Sequence, residues 1–266
     1  MGFRNICMTV FICLIGLSLT GCRKGSKREH SRPALTVAAA SNVQYAMEAL
    51  ARDFETSSGI NIDLIISSSG KLAAQIGQGA PYHVFVSADE KYPAELARKG
   101  LAGGSPQVYA YGALVLWTVR KEVDISRGLA VLENRHIRKI ALANPGLAPY
   151  GEQSIRVLEH LGLLERLRSK LVYGENISQT SQYILSGACD LGFTAKSIVL
   201  APELKGRGAW VDVPPAAYRP IAQAAVITRQ GIERLPEESR TFFTYLLSEP
   251  AQAILSRFGY TFIRVE

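Results

Sequence analysis

Four short segments rich in serine, asparagine, glycine and proline carry most of the chemistry this sequence offers. They are Ala38-Ala39-Ala40-Ser41-Asn42, Ser67-Ser68-Ser69-Gly70-Lys71, Asn144 to Gly151, and Glu175-Asn176-Ile177-Ser178. Each stands where a short apolar run gives way to an amphipathic one, so each reads as a strand turning into a helix. The first turn of a helix leaves backbone N–H groups unpaired and carries about half a positive charge. Several such turns aimed at one point hold an anion without a cationic side chain, and the hydroxyls of Ser41 and Ser69 add donors. A fully deprotonated tetrahedral oxyanion only accepts hydrogen bonds, so donors alone suffice. Serine and asparagine are also ordinary helix caps, so any one junction is weak evidence. Glu152 and Glu175 flank the third and fourth junctions. Pointing inward they repel a dianion; in a first helical turn they usually face solvent and answer the dipole.

Other chemistries fit less well. Ser68-Ser69-Gly70-Lys71 has the Ser-x-x-Lys spacing of penicillin-recognising acylases, with Ser68 as nucleophile and Lys71 as its activator. Neither Lys-Thr-Gly nor Ser-Asp-Asn accompanies it. Gly70-Lys71 is not a phosphate-binding loop, because Ile65 stands where its first glycine belongs. His30, His83, His136 and His160 are scattered without metal-ligand spacing. Tyr109 and Tyr111 are two apart and invite a ferric-phenolate reading, yet they lie on a strand expected to cross between lobes.

The elements that must position these residues alternate. Ala34–Ala39, Asn61–Ile66, His83–Ser87, Val108–Val119, Lys139–Ala143, Asp190–Thr194 and Pro220–Thr228 read as strands. Val43, Met47, Leu50 and Phe54 stripe one helix, and Ile155, Leu158 and Leu161 another. A last helix opens near Glu249-Pro250 and stops at Gly259. Such alternation argues for an α/β fold with mixed, mostly parallel sheets. Ligands in open α/β sheets sit beyond the carboxyl ends of strands, where the four junctions lie.

Ile6 to Leu19 is apolar and uncharged behind Arg4, too short to span a bilayer but right for a signal peptide. Leu19-Thr20-Gly21-Cys22 follows and matches the lipobox of bacterial lipoproteins, in which the cysteine is acylated. Cys7 and Cys13 leave with that leader, so Cys189 alone remains and no disulfide framework is possible. The net charge of +7 is concentrated near the start. Residues 23–32 hold four of the seven and Arg4 a fifth, leaving +2 for residues 33–266. The basic excess is thus a tether beside a membrane surface, and no nucleic-acid-binding face is indicated.

Taken in order, the junctions resemble the molybdate-binding proteins of ABC importers. The resemblance is carried by Ala-Ala-Ala-Ser-Asn-Val-Gln-Tyr-Ala at 38–46, Ser-Ser-Gly-Lys-Leu-Ala-Ala-Gln-Ile at 68–76 and Gly-Ala-Pro at 79–81. Val-Phe-Val-Ser-Ala-Asp at 84–89 and Phe-Gly-Tyr at 258–260 complete it. It implies a two-lobed (type II) periplasmic-binding fold that closes on its ligand. Its expected parts are a leader 1–21, a tether 22–33, lobe one from 34–110 and 215–266, and lobe two from 111–214. Carried over by position, Ser41, Asn42 and Ser69 fall to the ligand, with Ser69 rather than Ser68 facing the cleft. Tyr150 and Ile177 fall where the family donates backbone N–H from the other lobe. Ala195 replaces a tyrosine used by some members, and His83 replaces a common aspartate. The resemblance implies a monomeric, lipid-anchored, extracytoplasmic binder of molybdate or tungstate. It would serve a membrane permease, use no cofactor and catalyse nothing. A binder of sulfate or ferric ion, and a serine acylase using Ser68 and Lys71, are the alternatives.

Overall fold

Leu35–Ala40 (β1) is buried at every position but Thr36, the pattern of a strand covered on both faces. It belongs to the first of two five-stranded sheets in this computed structural model, which describes residues 34–262. The expected leader 1–21, Cys22 and the tether 22–33 lie outside the described residues. After β1 come α1 (Gln44–Ser58), β2 (Ile62–Ser67), α2 (Ser69–Gly77), β3 (Val84–Val86), α3 (Lys91–Arg98) and β4 (Gln107–Gly112). The chain then crosses into a second sheet. That lobe holds β5 (Leu114–Thr118), β6 (Ile140–Ala143), α4 (Pro149–His160), α5 (Leu164–Leu167), β7 (Leu171–Gly174), α6 (Ile177–Leu185), β8 (Leu191–Ala195), α7 (Lys196–Val199) and β9 (Ala209–Asp212). It returns through β10 (Ile221–Ile227), α8 (Arg229–Arg234), α9 (Pro236–Leu246) and α10 (Glu249–Arg257).

The strand orders are β2-β1-β3-β10-β4 and β7-β6-β8-β5-β9. In each sheet one strand runs against the other four, β10 in the first and β5 in the second. Each is the first strand formed after a crossing, so reversal of the chain at the hinge is built into the pairing. Val108–Val119, expected as one strand, is two. The apolar run is continuous, but it breaks at Ala113 as the chain leaves one sheet for the other. Tyr111 and Gly112 therefore pair in the first sheet, two residues past the expected boundary at 110. Strands β7 and β9, not expected from the sequence, are the two edges of the second sheet. Each has four residues of which none but Gly174 is buried, so neither shows a buried apolar run.

Helix α1 buries Met47, Leu50 and Phe54 and ends at Gly59, whose φ of 70° supplies the left-handed cap. Each such large apolar side chain contributes roughly 1.5–3 kcal/mol on burial. What matters for the site is symmetry. Neighbouring parallel strands β1 and β2 lead into α1 and α2, and neighbouring parallel strands β6 and β7 lead into α4 and α6.

Candidate anion-binding site

The four junctions meet. Ser41, Asn42, Ser69, Tyr150 and Ile177 line one small cavity, together with Ser68, Ala88 and Pro149. Pockets for organic ligands run to roughly 300–1,000 Å³, and the space here open to a water-sized sphere, about 10 Å³, is far too small for one. No charged side chain is among its lining residues.

Helix α2 starts at Ser69, α4 at Pro149 and α6 at Ile177. Tyr150 and Ile177 are thus in first turns, where N–H groups have no partner within the helix. Pro149 fits the first position of α4 because its missing N–H is one of those orphans anyway. Gly151 follows because a Cβ there would lie 2.2 Å from the Ala143 carbonyl oxygen. Only glycine lets the first turn of α4 sit on the end of β6. In α6, Asn176 caps the helix by accepting from the Gln179 N–H at 2.9 Å. Ser41 and Asn42 do not cap α1; they form a separate 3-10 turn, Ser41–Val43, ahead of it.

The hydroxyls are set up to donate. Ser41 Oγ accepts from the Ile177 N–H at 3.0 Å across the cleft. Ser69 Oγ accepts from the Ala88 N–H, also at 3.0 Å. An oxygen that already accepts presents its proton outward. Ser68, expected to turn away, also lines the cavity, and its buried Oγ has no hydrogen-bond partner. It stands at the N-cap of α2 with extended backbone, one step before Ser69, so both serines flank the same helix opening.

Asn42 departs from expectation in another way. Its amide Nδ2 donates to Gln223 Oε1 at 2.8 Å and to Tyr260 Oη at 3.2 Å. Both amide hydrogens are committed, which leaves the backbone N–H as the donor Asn42 can offer a ligand. Gln223 also accepts from Tyr109 Oη at 2.8 Å and donates from Nε2 to Tyr150 Oη at 3.1 Å. One buried amide therefore ties Asn42 of the first lobe to Tyr150 of the second. The sequence reading passed over Gln223. The signal was available: it is the one polar residue in the apolar strand Ile221–Ile227, and a buried polar group implies a partner. Ser197, two residues past Ala195, donates to the Asn42 carbonyl at 2.6 Å.

Further contacts close the lobes over the cavity. The Gly70 N–H donates to the Leu147 carbonyl at 2.9 Å, and a Cβ on Gly70 would come within 2.7 Å of Tyr92 Oη. Ser178 Oγ donates to Gln44 Oε1 at 2.8 Å. Lys71 Nζ pairs with Glu175 Oε1 at 2.6 Å on the rim, and Glu152 pairs with Arg156 along α4. Both carboxylates are thus occupied outside the cavity, and Lys71 has no bond to Ser68.

Burial pushes the phenols of Tyr109 and Tyr150 well above their ordinary value, and that of Tyr260 to about 12. Neither Tyr109 nor Tyr111 lines the cavity, and the Tyr109 hydroxyl is committed to Gln223, so the two tyrosines do not form a ferric-phenolate pair there. Among the described residues no group of three or more His, Cys, Asp and Glu side chains could hold a metal ion. His83 Nδ1 accepts from the Thr36 N–H at 2.9 Å, a structural bond that an aspartate could also accept. Cys189 is buried and unpaired, and burial pushes its thiol up.

Two lobes closing on a small, donor-lined cavity define a protein that captures a solute. The chain belongs to the bacterial extracellular solute-binding protein family, whose model matches residues 35–261, and this places its work outside the cytoplasm. It is 36% identical over 226 residues to the molybdate-binding protein ModA of Azotobacter vinelandii, covering 84% of this chain and 88% of that one. The solved periplasmic molybdate-binding protein of Azotobacter vinelandii superposes with a TM-score of 0.81 at 37% identity, covering 86% of this chain and all of that one. A Bacillus subtilis protein, YvgL, provisionally described as an ABC transporter substrate-binding lipoprotein, is 28% identical over 256 residues. That match spans 96% of this chain and 95% of its own.

Proposed function

We propose that this chain is the substrate-binding component of an ABC importer and that its cargo is molybdate, with tungstate as an equivalent. The observation that carries this is the convergence of four helix starts and the hydroxyls of Ser41 and Ser69 on one small cavity with no charged lining. Both cargoes are tetrahedral dianions that only accept hydrogen bonds. The N–H groups of Tyr150 and Asn42 and the two hydroxyls are the donors that hold them, while the Ile177 N–H orients the Ser41 hydroxyl. The similarity to molybdate-binding proteins supports the same cargo. The anion is cargo and not a cofactor. The protein acts as a monomer that hands it to a membrane permease.

The acylase alternative is disfavoured by geometry, since the amine that should activate Ser68 is paired with Glu175. The ferric alternative is disfavoured because neither Tyr109 nor Tyr111 lines the cavity and the Tyr109 hydroxyl is bonded to Gln223. Titration calorimetry of the full chain with molybdate, tungstate, sulfate and phosphate tests the proposal. Molybdate and tungstate should bind above sulfate; a protein that binds none of the four ends it.

The lipid anchor at Cys22 rests on Leu19-Thr20-Gly21-Cys22. The match to YvgL supports it, because an alignment over 96% of the chain must reach well into the first 33 residues. Mass spectrometry of the membrane fraction should find an acylated Cys22, and Cys22→Ser should abolish that modification.

A further inference from the structure

Three serine hydroxyls lie on the cavity wall, and they are not equivalent. Those of Ser41 and Ser69 each accept a backbone N–H, so the protein holds them in place with or without cargo. That of Ser68 is buried, at 2% residue exposure, and bonds to nothing. Serine at a helix N-cap ordinarily turns its oxygen back onto the first-turn N–H groups, but no such bond is made here. A buried hydroxyl without a partner is destabilising, and native structures keep few of them. Three other buried side-chain atoms among the described residues share this state, and none lines the cavity. Arg120 Nε lies 3.1 Å from Asp190 Oδ1, and the Arg156 guanidinium pairs with Glu152 through its other nitrogen. Ser248 stands at the start of α10.

We propose that Ser68 is a further cargo-binding residue, whose hydroxyl donates to the bound oxyanion and finds its partner only there. This rests on the oxyanion reading of the cavity and extends it to a third side-chain donor. It also makes the empty and loaded proteins respond to one substitution with opposite signs. Removing an unpartnered hydroxyl relieves the empty state, whereas removing a donor to a charged acceptor weakens the loaded state.

The test uses the full chain, sodium molybdate as the probe, and calorimetry beside thermal unfolding with and without the anion. Ser68→Ala should bind molybdate roughly ten- to a hundredfold more weakly. Its unfolding midpoint without anion should equal or exceed that of the wild type, and the rise on adding molybdate should shrink. Ser68→Cys, close in volume but a weak donor, should lose affinity likewise. Ser248→Ala removes a comparable hydroxyl far from the cavity and should leave affinity unchanged. The inference is overturned if Ser68→Ala binds molybdate within about threefold of the wild type. It is equally overturned if the anion-free midpoint falls along with affinity in both Ser68 variants, which is the mark of a merely structural serine. A wild-type protein that binds no tetrahedral oxyanion removes the oxyanion reading itself, an outcome visible before any variant is made.

Discussion

The two lobes build the same cavity from different materials. The first lobe contributes side chains, the hydroxyls of Ser41, Ser68 and Ser69. The second contributes backbone, the first-turn N–H of Tyr150 and that of Ile177, which donates to Ser41 Oγ and so orients its hydroxyl. The side chains of those two residues serve the fold instead. The Tyr150 phenol accepts from Gln223, and Ile177 packs into the core of its own lobe. Side-chain donors can be deleted one at a time, but backbone donors can only be displaced. The same cavity is therefore mutable from one side and accessible from the other only through helix placement.

The largest effect should come from moving the backbone half. Gly151→Ala sets a Cβ against the Ala143 carbonyl and must lift the start of α4 from β6. A loss of about 2–3 kcal/mol of stability and about a hundredfold in molybdate affinity is expected, measured by denaturant unfolding and calorimetry. If α4 tolerates the methyl with affinity intact, the second lobe is not donating through its backbone.

Deleting donors from the first lobe comes next. Ser41→Ala and Ser69→Ala should each remove ~1.5–3 kcal/mol of binding, roughly ten- to a hundredfold, with the fold retained. Their counterparts across the cleft should invert that pattern. Tyr150→Phe leaves Gln223 Nε2 without its acceptor and should cost about 1–3 kcal/mol of stability. Ile177→Val should cost about 0.5–1.5 kcal/mol of stability. Both should keep affinity near that of the wild type. Equal affinity losses on the two sides would erase the distinction between the lobes.

The rim pair should matter less. Lys71 and Glu175 are each about half exposed, at 49% and 41% of their side-chain surface, and exposed pairs contribute ~0–1 kcal/mol. Lys71→Ala should speed molybdate release up to about fivefold in stopped flow, and high salt should mask the effect.

The smallest effect at neutral pH concerns the first lobe alone. Burial holds the His83 imidazole below its ordinary value, against a weaker opposing pull from Glu238. The unfolded chain then takes up the proton first, so stability holds above about pH 6.5 and falls as the pH drops through that value. His83→Asp should keep an acceptor for Thr36 and flatten unfolding midpoints across this window.

How much of this was legible depends on the range over which a residue acts. Each junction was readable because a strand end, a cap-type residue and an amphipathic stripe lie within about ten residues of one another. The stripe of Met47, Leu50 and Phe54 is buried as its spacing implies. The edge strands β7 and β9 escaped notice because a short, half-exposed strand has neither an apolar run nor clean alternation. The break at Ala113 was hidden for the opposite reason, since burial on both sides makes two strands read as one.

By itself the sequence determined the types of donor, the charge distribution and the alternation of most strands with helices, all properties of neighbours along the chain. Only the tertiary structure decided which donors share a cavity. Ser41 and Ile177, 136 residues apart, bond because the two lobes meet, and Asn42 and Gln223, 181 apart, bond because the chain returns through β10 to the sheet it left. That return committed the Asn42 amide, and the meeting of the lobes paired Lys71 with Glu175, while Ser68 was left as the cavity serine without a partner. The partner of a buried polar group is set by what the fold brings within about 3 Å, and periodicity carries no information at that distance.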